Sequence, residues 1–371
     1  MRIRVLHIID HLGYGGAPIV VKNIVENLNN QHIETYLCAL RTNPDALPVG
    51  AKLISLTYHR YNPLAVLAIA KLCKKYKIDI VHAHLQKSII SSLFASFLTK
   101  SKIIIHEHGP ILRGGTGFIY RLLLKILRCR AAIAIANSQA TKIALSGTIG
   151  FAEISAPIVS NFIDFGRFNP AFYDRDKTRA ALGIAEDKIA IGFMGRLHRC
   201  KGADLLVEAA AILCEKDQRF RFFIVGDGPE RKHLEGLAAR LGLKEKVVFT
   251  GLCKDPAEVI RAFDIAVIPS RREAFGITAI EFMQMLIPVV ASPVGGLAEL
   301  VQNEQTGILL DSLTAESIAD AVNRLVHDSS LRERLTKAAE VFSRKFDGKE
   351  QLKQITDIYE KLCSQKKEKA E

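Results

Sequence analysis

The 371-residue sequence has no tryptophan, and none of its seven cysteines falls in a Cys-x2-Cys pair. Cys38, Cys73, Cys129, Cys200, Cys214, Cys253 and Cys363 form an odd, scattered set. That excludes the spacing of a disulfide framework or of a cysteine zinc site and points to a reducing, cytoplasmic compartment. No apolar run approaches the ~18 residues that span a bilayer. The chain opens directly on a strand-like run at 2–9, so no signal peptide is expected. Acidic residues are scarce in one region only: residues 51–150 hold 2 against 15 basic ones. The net charge of +12 lies wholly in residues 1–170, with 20 Lys+Arg against 8 Asp+Glu. Such asymmetry calls for an anionic partner, a membrane surface or nucleic acid. No recognisable nucleic-acid motif or aromatic stacking set is present, so no nucleic-acid partner is expected.

What is present is a soluble globular composition, 49% hydrophobic and 24% charged, at a length that suggests two domains. Apolar runs at 3–9, 34–40, 51–56, 78–82, 102–106, 131–136 and 157–160 predict strands, with helices near 17–29, 64–75, 88–98, 118–128 and 139–145. A second alternation predicts strands at 189–194, 220–225, 246–250, 264–268, 288–292 and 307–310. Helices follow near 203–215, 230–241, 256–262, 276–286, 315–328, 330–343 and 349–363. Between them, 164–188 turns polar and loses its period, which places a junction there and makes Asp174-Arg175-Asp176 a solvated charge run. The tail 365–371 is expected to fray. The fold class is α/β, two doubly wound parallel sheets.

Four stretches carry chemistry. In Ser270-Arg-Arg-Glu-Ala-Phe-Gly-Ile-Thr-Ala-Ile-Glu-Phe-Met283, a buried strand ends at Pro269 and a helix starts near Gly276. Glu273 then lies in the loop and Glu281 about one turn into the helix, whose free N–H groups favour an anion. Taken alone, two glutamates eight apart are ordinary solvated residues. Gly195-Arg-Leu-His-Arg-Cys-Lys-Gly202 follows a strand and puts two cations, Arg196 and Lys201, over one loop, as a departing diphosphate requires. Gly13-Tyr-Gly-Gly-Ala-Pro18 is glycine-rich, but Pro18 replaces the last glycine of a dinucleotide fingerprint and no acid ends the second strand, so NAD is disfavoured. His106-Glu-His-Gly109 and Val81-His-Ala-His84 end strands. Each His-x-His puts two rings on one side, yet the sequence offers no evident third metal ligand.

Together these stretches resemble the family-four retaining glycosyltransferases of GT-B fold, over nearly the whole chain. The matching motifs are Glu-x7-Glu, Gly-Arg-Leu-x3-Lys-Gly, the Gly-Gly-Ala loop, Asn137-Ser138, Asn161-x-x-Asp164, Gly226-Asp227-Gly228-Pro229 and Gly295-Gly296-x-x-Glu299. One departure stands out: Phe162 follows Asn161 where the family has Gly. The resemblance implies an acceptor-side domain 1–164, a nucleotide-sugar domain 165–349, and a last helix within 350–371 that crosses back onto the first domain. It assigns donor binding to Gly15, Gly16, Arg196, Lys201, Glu273, Phe275, Gly276, Ile277 and Glu281. Catalysis would rest on His108, Arg196, Lys201 and Glu273, with Glu273 holding sugar hydroxyls and Glu281 the ribose. Gly16 and His108 would meet the donor on closure, His106 would point into the sheet flank, and His82 and His84 would be strand-end packing. No cofactor and no metal are implied.

The implied reaction moves a sugar from a UDP- or GDP-sugar to a lipid-linked or polysaccharide acceptor in cell-envelope glycan synthesis. Alternatives of the same fold are a nucleotide-sugar 2-epimerase, which gives no reason for the lopsided charge, and a non-catalytic nucleotide-sugar-binding protein. In residues 113–130, Arg121, Lys125 and Arg128 lie at i, i+4 and i+7, one cationic stripe on an otherwise apolar helix. That helix would rest on an anionic membrane face, Lys71, Lys74, Lys75 and Lys77 adding to the same basic side, or else pack its leucines on the sheet.

Overall fold

Segments such as Ile3–Ile9 are rich in β-branched residues without alternation, the pattern of a parallel strand covered on both faces. In the computed structural model, which describes residues 2–13, 15–41, 49–50, 52–57, 62–109, 116–149, 156–253 and 255–364, they form two sheets. The chain divides into two compact units, one of Met1–Phe162 with Gly348–Glu371, the other of Ile163–Asp347.

The first unit runs β1 (Ile3–Ile9), α1 (Gly16–Leu28), β2 (Ile33–Ala39), β3 (Lys52–Ser55), α2 (Leu64–Lys75), β4 (Ile80–His84), α3 (Gln86–Ala95), β5 (Lys102–Glu107), α4 (Thr116–Leu127), β6 (Ile133–Ala136) and α5 (Gln139–Ile149). Its sheet is parallel, in the order β3-β2-β1-β4-β5-β6. Val5, Leu6, Ile8, Ile9, Ile80 and Val81 are fully buried at its centre.

The second unit runs α6 (Arg175–Ala181), β7 (Ile189–Met194), α7 (Ala203–Lys216), β8 (Phe220–Val225), α8 (Arg231–Arg240), β9 (Val247–Gly251), α9 (Pro256–Arg261), β10 (Ile265–Ile268), α10 (Ile277–Gln284), β11 (Val289–Ala291), α11 (Leu297–Leu300), β12 (Ile308–Leu309), α12 (Ala315–His327) and α13 (Ser329–Ser343). Its order, β12-β11-β10-β7-β8-β9, repeats the first topology. Strand order reverses between β1 and β4 in one unit and between β7 and β10 in the other, where ligands of open α/β sheets bind.

The last helix, α14 (Lys349–Ser364), belongs to the first unit, where it packs on α1 and β1. It buries Gln351, Ile355, Tyr359 and Leu362, a stripe of helical period.

Two expectations need correction. Residues 157–160 form no strand; Ile158 makes one isolated bridge to Ala136. The aperiodic stretch 164–188 is not a linker but part of the second unit, and it holds α6. Asp174 caps that helix by accepting from the N–H groups of Asp176 and Lys177. Arg175 and the buried Arg179 then both grip Asp264, at 2.5 and 3.1 Å. The period vanished because charged side chains, not apolar ones, fasten this helix. The tail 365–371, expected to fray, lies outside the described residues.

Candidate functional site

In the second unit, the loops that leave β7 and β10 at the switch point are tied together. Arg271 holds Asp204, at the start of α7, through two bonds of 2.7 Å, and its backbone N–H donates to the Cys200 carbonyl at 2.7 Å. Gly202 has a φ of 69°, and a Cβ there would run into the Pro269 carbonyl. Gly295, with a φ of 52°, backs as closely onto the Glu273 carbonyl. Both positions therefore need glycine for conformation and for space. The backbone so compressed brings Lys201 Nζ to 2.5 Å from Glu273 Oε2, with Ser270 Oγ donating to the same oxygen at 3.4 Å. The cation and the carboxylate assigned from sequence to diphosphate and to sugar are each other's partners.

Arg196 is exposed in the same loop after β7 as Lys201 and makes no ion pair among the described residues. Gly276 is the N-cap of α10, and the following residues Ile277 and Thr278 offer their first-turn N–H groups. Phe275 is buried edge-on against Phe346, ring centroids 5.9 Å apart, so its side chain belongs to the core and only its backbone is left for a ligand. Glu281 is buried, and that burial pushes its carboxyl up to about 7, with Arg167 pulling the other way. A groove lined by Arg175, Asp187, Arg219, His327 and Arg332 opens at the opposite, amino-terminal end of this sheet and holds none of these residues.

In the first unit, Gly15 caps α1 and Gly16 opens it; Tyr14, between them and Gly13, lies outside the described residues. Asp10, unassigned from sequence, is buried and accepts from the Ser88 N–H and hydroxyl at 2.8 and 2.7 Å, capping α3 from the end of β1. Glu107 was likewise missed. It accepts from Tyr120 at 2.7 Å and from the Gly109 N–H at 3.1 Å, while burial pushes its carboxyl up to about 7. Its one sequence signal was a carboxylate between two strand-end histidines.

His106 does not point into the sheet flank, and His82 and His84 are more than packing. His7, His82, His84, His106 and His108 form one buried cluster, because β1, β4 and β5 are adjacent and put these positions on one face. His7 Nδ1 lies 3.0 Å from His84 Nε2, His84 Nδ1 3.0 Å from His108 Nε2, and His108 Nδ1 3.3 Å from Asn161 Oδ1. Tyr359 of α14 reaches in, its hydroxyl 2.6 Å from His82 Nδ1 and 3.4 Å from His7 Nε2. One assignment of protons satisfies every link: each of these histidines carries its hydrogen on Nδ1, and donation runs His82, Tyr359, His7, His84, His108, Asn161. Burial favours the neutral rings, holding His7 down at about 3 and His108 at about 4, the latter against the opposing Asn161 bond. The reading that no third ligand accompanies either His-x-His pair is overturned, since His7, His82 and His84, and again His84, His106 and His108, each bring three nitrogens within 4.8 Å.

Helix α4 divides its apolar residues. Tyr120, Leu124 and Leu127 are buried, whereas Phe118, Ile119, Leu122 and Ile126 are 61, 58, 48 and 61% exposed. Lys125 is exposed, Arg121 and Arg128 are half-buried, and the lead-in at 113–115 lies outside the described residues. On neighbouring α3 and the turn after it, Phe94, Phe97 and Leu98 are also exposed, with Arg130 stacked over Phe97 at 4.5 Å. No helix among the described residues is long and apolar enough to cross a membrane.

Two family models match the chain in turn: glycosyltransferase family 4 over residues 14–167 and glycosyl transferases group 1 over residues 174–342. The alpha-D-kanosaminyltransferase of Streptomyces kanamyceticus is 34% identical over 51% of this chain and 49% of its own. The D-inositol 3-phosphate glycosyltransferase of Actinosynnema mirum is 35% identical over 54% of this chain and 50% of its own. The matched part thus spans about half the length of these curated relatives. Anabaena HepE, solved in complex with UDP, superposes with a TM-score of 0.81 at 25% identity, over 97% of this chain and 100% of that one. With two parallel sheets of one topology, the loops built on their switch points and both family models in register with the two units, the chain belongs to the family-four, group 1 glycosyltransferases of GT-B fold.

Proposed function

We propose that the protein is a retaining, metal-independent hexosyltransferase that uses a nucleotide diphosphate sugar. The observation that carries this reading is the Lys201–Glu273 pair, set beside Arg196 and the N-terminus of α10 at the β7/β10 switch point. The pair holds both groups in place until a donor separates them. The diphosphate takes Lys201 and Arg196, whose charge stabilises the leaving group as the glycosidic bond breaks. The sugar hydroxyls take Glu273, and Glu281 takes the ribose. The leaving phosphate accepts the acceptor proton, so no strong side-chain base is required. In the first unit, Gly16 and His108 are the residues we assign to the donor on the acceptor side.

UDP is the first nucleotide to try, since HepE, at 25% identity, was solved with it; GDP is the second. The acceptor is a lipid-linked or polysaccharide glycan of the cell envelope, and the enzyme works on the inner membrane face. The basic first half and the exposed apolar face of α4 support that location: a half-immersed helix keeps cations among anionic head groups.

Thermal shift with UDP, GDP, ADP and their sugar conjugates tests the donor, because a ligand bound only by the folded state raises the melting temperature. A shift with one nucleotide, and its release from the sugar conjugate only when an envelope extract supplies acceptor, is the expected result. No shift with any of them would end the reading, and release without acceptor would favour an epimerase or hydrolase.

A further inference from the structure

The histidine chain leaves one member unexplained. His106 is buried, and neither of its ring nitrogens has a hydrogen-bond partner among the described residues. Leaving such groups unpaired is costly, and an unsatisfied buried group often marks an ion or water. Its ring faces His108 at a centroid distance of 4.1 Å and His84 at 5.6 Å.

We propose that His84, His106 and His108 form a binding site for a borderline transition-metal ion of the zinc class, which shares His108 with the proposed donor site. Their nitrogens lie within 4.8 Å of one another. His84 Nδ1 and His108 Nε2, 3.0 Å apart, need only a small widening to match the ~3.3 Å edge of a tetrahedron with metal–nitrogen bonds of ~2.0–2.1 Å. The fourth position stays open for water or another ligand. The donor set is all imidazole, which suits zinc, copper or nickel and disfavours magnesium and calcium. The nearest carboxylate in sequence, Glu107, is engaged with Tyr120 and Gly109 instead.

For His108 and His84 the surrounding chain supplies what metal-bound imidazoles require, an acceptor for the other ring nitrogen; the second nitrogen of His106 meets none among the described residues. His108 binds through Nε2 and keeps its Nδ1 hydrogen on Asn161. His84 binds through Nδ1, so its hydrogen moves to Nε2, which faces His7 Nδ1 at 3.0 Å. His7 in turn donates from Nε2 to Tyr359, and Tyr359 donates to His82. The relay reverses direction without gaining or losing a proton. The ion pins the ends of β4 and β5 together and holds the His108 ring where the free chain already holds it.

The full chain, stripped with EDTA and titrated with zinc chloride against a chromophoric chelator, is expected to take up one equivalent. His106→Gln should abolish uptake, His7→Gln should weaken it by about 10–100-fold, and the exposed His233→Gln should leave it unchanged. No uptake by the parent, or undiminished uptake by folded His106→Gln, overturns the proposal. Unchanged affinity in His7→Gln overturns the relay. If His106→Gln does not fold, zinc X-ray absorption on the parent decides: a first shell with three imidazoles supports the site, and fewer than three refutes it.

Discussion

The two units share one strand order yet end their central strands in opposite chemistry. At the exits of β7 and β10, charged groups meet on solvent-reached loops: Lys201 with Glu273, Arg271 with Asp204, and Arg196 without an ion pair among the described residues. At the ends of β1, β4 and β5, five imidazoles and a phenol are buried, all but His106 linked by hydrogen bonds. A loop proposed to bind an anion must keep its cation reachable, and compensation there is by an ion pair, Lys201 with Glu273. Buried histidines cannot stay charged without a counter-ion, so they stay neutral and satisfy one another. One topology carries both, because apolar strand interiors set the fold and strand exits set the chemistry.

The largest expected effect tests the charged end. Lys201→Ala should cut turnover by ~10²-fold or more, the loss seen on removing one preorganised donor to a developing charge, with the melting temperature nearly unchanged. Steady-state kinetics beside thermal unfolding checks it; retained turnover would remove the diphosphate role. In the same unit, Glu273→Ala should leave bare nucleotide binding intact while Glu281→Ala weakens it, and equal effects would sink the division of roles.

Glu281 is the one carboxylate of that region that behaves like the buried end of the other unit. Its folded value of about 7 lies above the ordinary 4.5. The folded state therefore holds its proton more tightly than the unfolded chain, and stability falls as pH rises from about 4.5 through 7. At two to three pKa units the loss is on the order of 3 kcal/mol. Glu281→Gln should flatten the stability–pH curve across that window and unfold later than the parent at pH 8 in denaturant titration. A curve as steep as the parent's would show that Glu281 is not the cause.

A smaller effect is expected at the neutral end. Tyr359→Phe keeps the ring and removes the hydroxyl shared by His82 and His7, at a cost of about 1–3 kcal/mol for the buried donor left behind. Imidazole nitrogen NMR should show His7 and His82 changing environment while the helix content stays constant. Unchanged His7 signals would break the chain as drawn.

The smallest effect per residue concerns the outer surface of the first unit. Changing Arg121, Lys125 and Arg128 together to Gln should reduce co-sedimentation with anionic vesicles by roughly 1 kcal/mol per cation near the surface, and the parent's binding should weaken with salt. If the triple variant sediments like the parent, α4 is not the contact.

Much of this architecture is legible in the amino-acid order alone. Apolar runs place every described strand close to its observed ends, since a strand covered by helices on both faces must be continuously apolar. Glycine and charge spacing in 195–202 and 270–283 points to the two loops proposed to bind the donor, because backbone approach and anion binding demand those residue types locally. α6 escapes such a reading, as its anchor is the long-range grip of Arg175 and Arg179 on Asp264, which leaves no apolar period behind.

By itself, then, the amino-acid order determined the strands, the switch-point loops and the lopsided charge, all properties of neighbours along the chain. Only the tertiary structure decided that Lys201 and Glu273 face each other, that α4 exposes Phe118 and Ile126 while burying Leu124, and that five histidines from three strands converge under Tyr359. The polar contacts among these join residues as far as 72 and 352 positions apart. Parallel strands acquire neighbours only through crossovers, so no local period records which side chains will meet.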